Sequence, residues 1–278
     1  MIFWIASYPK SGNTFLRALL SAYFFSKTGD FNFDLLQNIK GFPDNGLFKK
    51  LGIDINDQNK VLENYIYVQK KINENNEKKI RFIKTHSILQ DINGYKFTDL
   101  SNTLGAIYIV RDPRNVAVSF ANHYQISIQE AVNNLIEFKT LSGKQNTIVH
   151  IGSWSAHYNS WKALNNFGRC LAIKYEDLVS DTKKTFLKIL NFISIISKAK
   201  FTIDNSKLNL VLKTTTFEIL QKLEQNVGFG EASKDKYNNP VIFFKDGPQN
   251  KWKQHLNHDQ ETLIINSFHK EMKELKYI

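Results

Sequence analysis

Strand and helix signals alternate along this chain, which predicts an α/β protein: a single domain with a central parallel sheet flanked by helices. Apolar runs at 2–6, 104–110 and 170–175 lack the alternation of a half-exposed strand and suit strands covered on both faces. A helical pattern follows each of them. No internal repeat or linker sets off a second unit, so residues 1–278 read as one domain.

The first strand breaks at Ser7-Tyr8-Pro9, and Phe15, Leu16, Leu19, Leu20 and Tyr23 then recur at helical spacing. A strand–loop–helix turn aims backbone N–H groups and the positive end of a helix dipole at one point, a ready site for phosphate or sulfate. Lys10, Ser11, Asn13 and Thr14 add side-chain donors. This P-loop-like turn departs from G-x-x-x-x-G-K-[ST]: Ser7 stands at the first Gly, Asn13 at the Lys, and the cation sits at Lys10 in mid-loop. It is a phosphate loop without the usual ATP or GTP arrangement.

Residues 27–60 carry Gly, Pro, Asn and Asp among scattered aromatics and read as loops and short helices, a lid or substrate wall. A helix is expected over 61–76, running into the polar stretch 73–79. The short strand 80–86 follows, with Lys84 and His86 on one face. Strand 104–110 ends at Arg111-Asp112-Pro113-Arg114, where Pro113 suits the first turn of a helix that carries Ser119. Further on come a helix over 127–140, a polar loop over 141–151, and a helix over 152–164 with Trp154, His157, Tyr158 and Trp161 on one face. Strand 170–175 stops at Glu176-Asp177 and leads into a helix over 181–193. The remainder is helical over 204–212, 216–227 and 259–276, interrupted by a Gly- and Asn-rich loop and by Phe243-Phe244-Lys245-Asp246-Gly247-Pro248.

A hydrophobic content of 42% can supply a large core. No apolar run approaches the roughly 18 residues of a membrane span, and no secretory leader pattern opens the chain, so a cytoplasmic location away from membranes is expected. The single cysteine, Cys170, excludes internal disulfides and cysteine-based metal clusters, and its apolar setting suits a buried, inert thiol. A net charge of +11 invites a nucleic-acid reading. Only five of the 37 basic residues are Arg, however, in a chain rich in Lys, Asn and Ile, a mixture that an AT-rich genome also produces. Nucleic acid is therefore not the expected partner. Where a sequence defaults to Lys, an Arg suggests that the planar fork matters. Arg17, Arg111 and Arg114 fall in the segments that suit anion binding on other grounds.

In doubly wound sheets ligands bind at the carboxyl ends of strands, so the polar segments after the four strands converge on one edge. There His86, two residues from the cation Lys84, suits transfer of an anionic group to a hydroxyl, the imidazole taking the proton and the ammonium stabilising charge. Arg111 offers a fork for a phosphate, and Ser119 a hydroxyl for the same anion. The plainer alternatives stay open: Arg-Asp-Pro is an ordinary helix entry, and the aromatic faces at 23–67 and 154–161 serve a core as well as an apolar acceptor.

Tyr8-Pro9-Lys10-Ser11-Gly12-Asn13-Thr14 resembles the phosphosulfate loop of sulfotransferases that use 3′-phosphoadenosine 5′-phosphosulfate (PAPS), and 108–119 resembles their 3′-phosphate signature. Lys84-Thr85-His86, Gly152-Ser153-Trp154 with His157 and Trp161, Tyr175-Glu176-Asp177-Leu178, Thr216-Phe217-Glu218 and the 247–253 segment fit in the same order, so the likeness spans nearly the whole chain. It implies that Lys10, Ser11, Gly12, Asn13 and Thr14 hold the 5′-phosphosulfate, with Lys10 easing the phosphate away. Phe15 would stack on the adenine, Arg111 and Ser119 hold the 3′-phosphate, and Tyr175, Thr216 and Phe217 lie near the base and sugar. His86 would be the base and Lys84 the stabiliser of the sulfuryl group, in a direct, metal-free displacement that leaves PAP.

The family's C-terminal loop commonly reads Arg-Lys-Gly-x-x-Gly-Asp-Trp; here Lys245 keeps the charge without the fork, Asp246 puts an anion where a cation is expected, and Gly247 offers its N–H. The family's dimer motif does not follow Lys253, and the sequence assigns no oligomeric state. The expected acceptor is a small molecule with a hydroxyl or amine. Two rivals remain: a kinase-like phosphoryl transferase, which the misplaced loop lysine disfavours, and a non-catalytic polyanion-binding protein.

Overall fold

The computed structural model describes residues 1–74, 80–137, 139–142, 147–199, 201–245, 247 and 251–278. Asp246 of the C-terminal loop, part of the polar stretch 73–79 and residue 138 of the expected 127–140 helix lie outside the described residues.

The first strand, β1 (Ile2–Ser7), is buried along its whole length and leads through the loop into α1 (Asn13–Phe25). Residues 27–60 hold a 3₁₀ turn at Phe33–Asn38 and the short helices α2 (Asn45–Lys50) and α3 (Gln58–Glu63), each entered through an Asn or Asp side-chain cap. Helix α4 (Tyr65–Glu74) precedes β2 (Arg81–Thr85) and β3 (Thr103–Val110). Asp112 caps α5 (Pro113–Tyr124) by accepting from Arg114 N–H at 2.9 Å, with Pro113 in the first turn as expected.

Helix α6 (Ile128–Ile136) ends short of 140, and the expected polar loop contains a small antiparallel pair, β4 (Thr140–Ser142) with β5 (Ile148–His150). Three-residue strands are too short to give a readable alternation, which is why the sequence showed only polarity. Next come α7 (Trp154–Lys162) and β6 (Cys170–Lys174). A helix α8 (Tyr175–Ser180) starts directly at the end of β6, where only the strand stop was expected, and Asp181 separates it from α9 (Thr182–Ser197). The chain continues through α10 (Asn205–Thr214) and α11 (Phe217–Val227) to α12 (His258–Glu274).

The main sheet is parallel with strand order β2-β1-β3-β6. Alternate residues of β1 feed two cores, one per face. Trp4 and Ala6 join Tyr108, Trp154, Trp161 and Phe268, while Phe3 and Ile5 join Leu16, Leu19, Ile107, Ile109 and Phe186. Trp4 Nε1 donates to Thr103 Oγ1 at 2.9 Å and Trp161 Nε1 to the Ser87 carbonyl at 2.9 Å, so both indoles enter the core with their polar atoms satisfied. Burial pushes the Cys170 thiol up to about 12, which leaves it unreactive.

Candidate active site

A cleft of about 940 Å³ opens at the carboxyl edge of the sheet. Its walls include Lys10 and Gly12 after β1, Lys84 and His86 from β2, Arg111 after β3 and Tyr175 after β6, so the four strand ends meet as the topology requires. Asn13, Thr14, Phe15, Ser119, Thr216, Phe217, Lys245 and Gly247 line it too. Ser11 lies beneath the loop, fully buried, and its Oγ has no hydrogen-bond partner.

Gly12 sets the shape of the loop. It caps α1 at φ 100°, without any side-chain cap on the first-turn N–H groups. A Cβ at this position would lie 2.3 Å from Tyr175 Cδ2, so only glycine lets the ring at the start of α8 close onto the loop. Asn13 differs from expectation as a donor. Its Nδ2 donates inward, to the Ile5 carbonyl at 3.0 Å and to Ser7 Oγ at 3.3 Å, which commits both amide protons to holding the loop on β1.

Three cations surround the loop. Arg111 Nη1 donates to the Lys10 carbonyl at 3.2 Å, its guanidinium lies 4.5 Å above the Tyr175 ring, and its buried Nε has no partner. The Lys10 ammonium sits 3.6 Å from the centre of the Phe243 ring. Burial, then repulsion from Arg111 and Lys84, push it down to about 7 against the pull of Glu231 and Glu224. Lys84 Nζ donates to Glu231 Oε2 at 3.0 Å.

His86 Nδ1 lies 2.8 Å from the Ser7 carbonyl oxygen, which can only accept, so Nδ1 carries the proton and Nε2 holds the lone pair. Burial and then the charge of Lys84 push the imidazolium down to about 3, the Ser7 contact opposing them. The other wall of this histidine is built by His157, whose Nε2 donates to the His86 carbonyl at 3.1 Å while its Nδ1 accepts from Tyr108 Oη at 2.9 Å.

Several expectations are redirected. Arg17 and Arg114 serve the fold: Arg17 pairs with Glu231 at 2.8 Å, and Arg114 with Asp112 at 2.8 Å and with the Tyr277 carbonyl at 2.8 Å. Of the three arginines in anion-suited segments, Arg111 alone lines the cleft. The aromatic face of α7 is core, as are Phe48 and Tyr65, and of these aromatics only Phe42 reaches the cleft. Lys245 Nζ donates to Asn122 Oδ1 at 3.1 Å, at the exposed rim. Glu231, His123 and Phe243 also line the cleft and had no signal in the sequence.

Arg111 Nε without a partner, uncapped N–H groups at the start of α1, and Lys10, Lys84 and Arg111 among the lining residues give the cleft the donors and charge that suit a polyanion. The family model for a sulfotransferase domain matches residues 2–276.

The chain belongs to the sulfotransferase domain family.

Among curated relatives of this sulfotransferase domain, the amine sulfotransferase of Oryctolagus cuniculus is 24% identical over 289 residues, covering 99% of this chain and 82% of that protein. Sulfotransferase 2A2 of Rattus norvegicus is 27% identical over 174 residues, and that match takes in 62% of this chain and 58% of the relative's length. Two solved structures share the fold. Mouse sulfotransferase SULT7A1 complexed with PAP has a TM-score of 0.61 at 20% identity, over 98% of this chain and 84% of that one. A retinol dehydratase in complex with androsterone and inactive cofactor PAP has a TM-score of 0.64 at 16% identity, over 98% and 80%. No helix among the described residues is long and apolar enough to cross a membrane.

Proposed function

We propose that this sulfotransferase domain moves a sulfuryl group from PAPS to a hydroxyl or amine of a small acceptor, with His86 as the base. The observation that carries the reading is the His86 tautomer: a lone pair on Nε2 in a cleft whose wall also holds Lys10, Lys84 and Arg111. Similar proteins crystallised with PAP support the donor. An amine sulfotransferase among the relatives, and a structural neighbour holding androsterone, support acceptors of small-molecule size. A volume of about 940 Å³ suits a nucleotide with a modest acceptor beside it.

The donor supplies the sulfuryl group and leaves as PAP. Arg111 and Ser119 hold its 3′-phosphate, Phe15, Tyr175, Thr216 and Phe217 flank the nucleoside, and Gly247 and Lys245 close the rim. Gly12 and the first turn of α1, with Ser11, Asn13 and Thr14, hold the 5′ end through backbone N–H groups and hydroxyls. Lys10 neutralises charge on the departing phosphate, and Lys84 stabilises the oxygens of the group in transfer. Nε2 of His86 takes the acceptor's proton. Such catalysis depends on positioning and charge, as phosphoryl transfer does.

An acceptor panel with radiolabelled phosphosulfate, run with chelator, tests the reading. Transfer to a hydroxyl or amine, absent with ATP and Mg²⁺, is expected. Binding of PAP with no turnover of any acceptor would favour a binding module, and phosphoryl transfer from ATP would favour a kinase.

A further inference from the structure

Glu231 takes no part in the steps above, yet its carboxylate lies in the cleft wall between two cations. Arg17 Nη1 donates to both of its oxygens, at 2.8 and 3.0 Å, and Lys84 Nζ donates to Oε2 at 3.0 Å. Arg17 is itself pinned from behind, with Nη2 donating to the carbonyls of Leu36 at 3.2 Å and Ile39 at 3.3 Å, and its side chain is only 3% exposed. A continuous chain of contacts therefore runs from the backbone of the 33–39 turn through Arg17 and Glu231 to Lys84.

Burial alone would raise the Glu231 carboxyl, but Lys84 and Arg17 outweigh it and hold the group well below the carboxylate range, so it stays ionised. A lysine has a flexible four-carbon stem, and ordering it costs side-chain entropy. A partly buried pair of this kind adds little net stability, because desolvation offsets the attraction; what it supplies is a fixed position. The anchor is rigid on one side and aimed at the reacting edge on the other.

We propose that Glu231, held by Arg17, is a positioning residue that fixes the Lys84 ammonium for the transfer step. The inference rests on the role given to Lys84 above. Glu231→Gln keeps the size of the side chain and an oxygen for Arg17 but removes the charge that holds Lys84. Expected are a fall in kcat of about 10- to 100-fold and a Kd for PAP changed by less than about threefold, since PAP carries no sulfuryl group. In a Lys84→Ala background the same substitution should change kcat by less than about twofold, because the residue it positions is gone.

An equal loss in both backgrounds, or an unchanged or higher kcat in the single variant, overturns the inference and leaves the proposed function standing. A Lys84→Ala enzyme with full kcat overturns the inference together with the role given to Lys84, while transfer itself stands. If Glu231→Gln fails to fold, Glu231→Asp, which keeps the charge and shortens the reach, is read by the same comparison.

Discussion

His86 Nδ1 is hydrogen-bonded to the Ser7 carbonyl at 2.8 Å, across two neighbouring strand ends, and this contact selects the nitrogen that can take a proton. Replacing His86 with Ala removes the base and leaves the phosphate contacts in place. Turnover should fall by about 10²- to 10⁴-fold while PAP still binds. Burial and then the Lys84 charge push the group down to about 3, which leaves it neutral across the ordinary range. The pH profile of kcat/KM should then show no acid limb near 6.5. Such a limb, lost in the His86→Ala variant, would show that burial and Lys84 do not hold the imidazolium down.

Gly12 meets Tyr175 so closely that a single methyl group cannot enter. Gly12→Ala adds a residue at φ 100° and a Cβ 2.3 Å from the ring, and the left-handed backbone alone costs about 1–2 kcal/mol. A loss of unfolding free energy of at least that size, read from the urea midpoint and its slope, is expected, together with weakened PAP binding. Adding Tyr175→Ala should return the part of the stability loss that comes from the clash. Full stability in Gly12→Ala would show that the loop does not need this approach.

The residues of this site divide by how they are brought to it. Lys10 to Thr14, Lys84 to His86 and Arg111 to Ser119 each sit at a strand–helix or strand–loop junction, and a parallel sheet gathers such junctions on one edge whatever the details of packing. Their convergence was therefore legible. Glu231 and Phe243 reach the cleft because the chain after α11 returns across the β1 loop, held where Phe243 and Phe244 N–H groups donate to the Glu224 carboxylate at 2.7 and 2.9 Å. No local pattern encodes that return. The fate of Arg17 was hidden for the same reason, since its partner lies 214 residues away. Trp154, Trp161 and Tyr65 show the other limit: an apolar face reads alike whether it meets a ligand or a core, and only packing decides.

Lys10 gives the binding reaction a pH dependence. Its ammonium is held down to about 7, mostly by burial, so in the free protein it is increasingly neutral above that value. An anion held by Lys10 favours the charged form. Affinity for PAP should therefore fall as pH rises from 7 towards 9, by up to about tenfold per unit, with a proton taken up on binding. Titration calorimetry in buffers of different ionisation enthalpy measures that uptake. Lys10→Ala should bind more weakly and lose the slope; a slope unchanged in this variant would place the titrating group elsewhere.

His157 makes a prediction about the fold that does not touch substrate. It is completely buried, gives its Nε2 proton to the His86 carbonyl and accepts from Tyr108 at Nδ1, so a second proton would cost the Tyr108 bond and leave a charge in the core. Burial pushes it down to about 3, below the ordinary histidine value near 6.5. With the folded value depressed, the unfolded chain binds more protons between about 3 and 6.5, and stability falls as pH drops through that window. One such group gives a slope of up to about 1.4 kcal/mol per pH unit, and His86 and His123, both also pushed down to about 3, add to it. Urea midpoints between pH 7 and 5 should show this loss. His157→Gln, which cannot take up a proton, should be less stable at pH 7 and show a shallower slope; a slope identical to the parent's would remove His157 as its source.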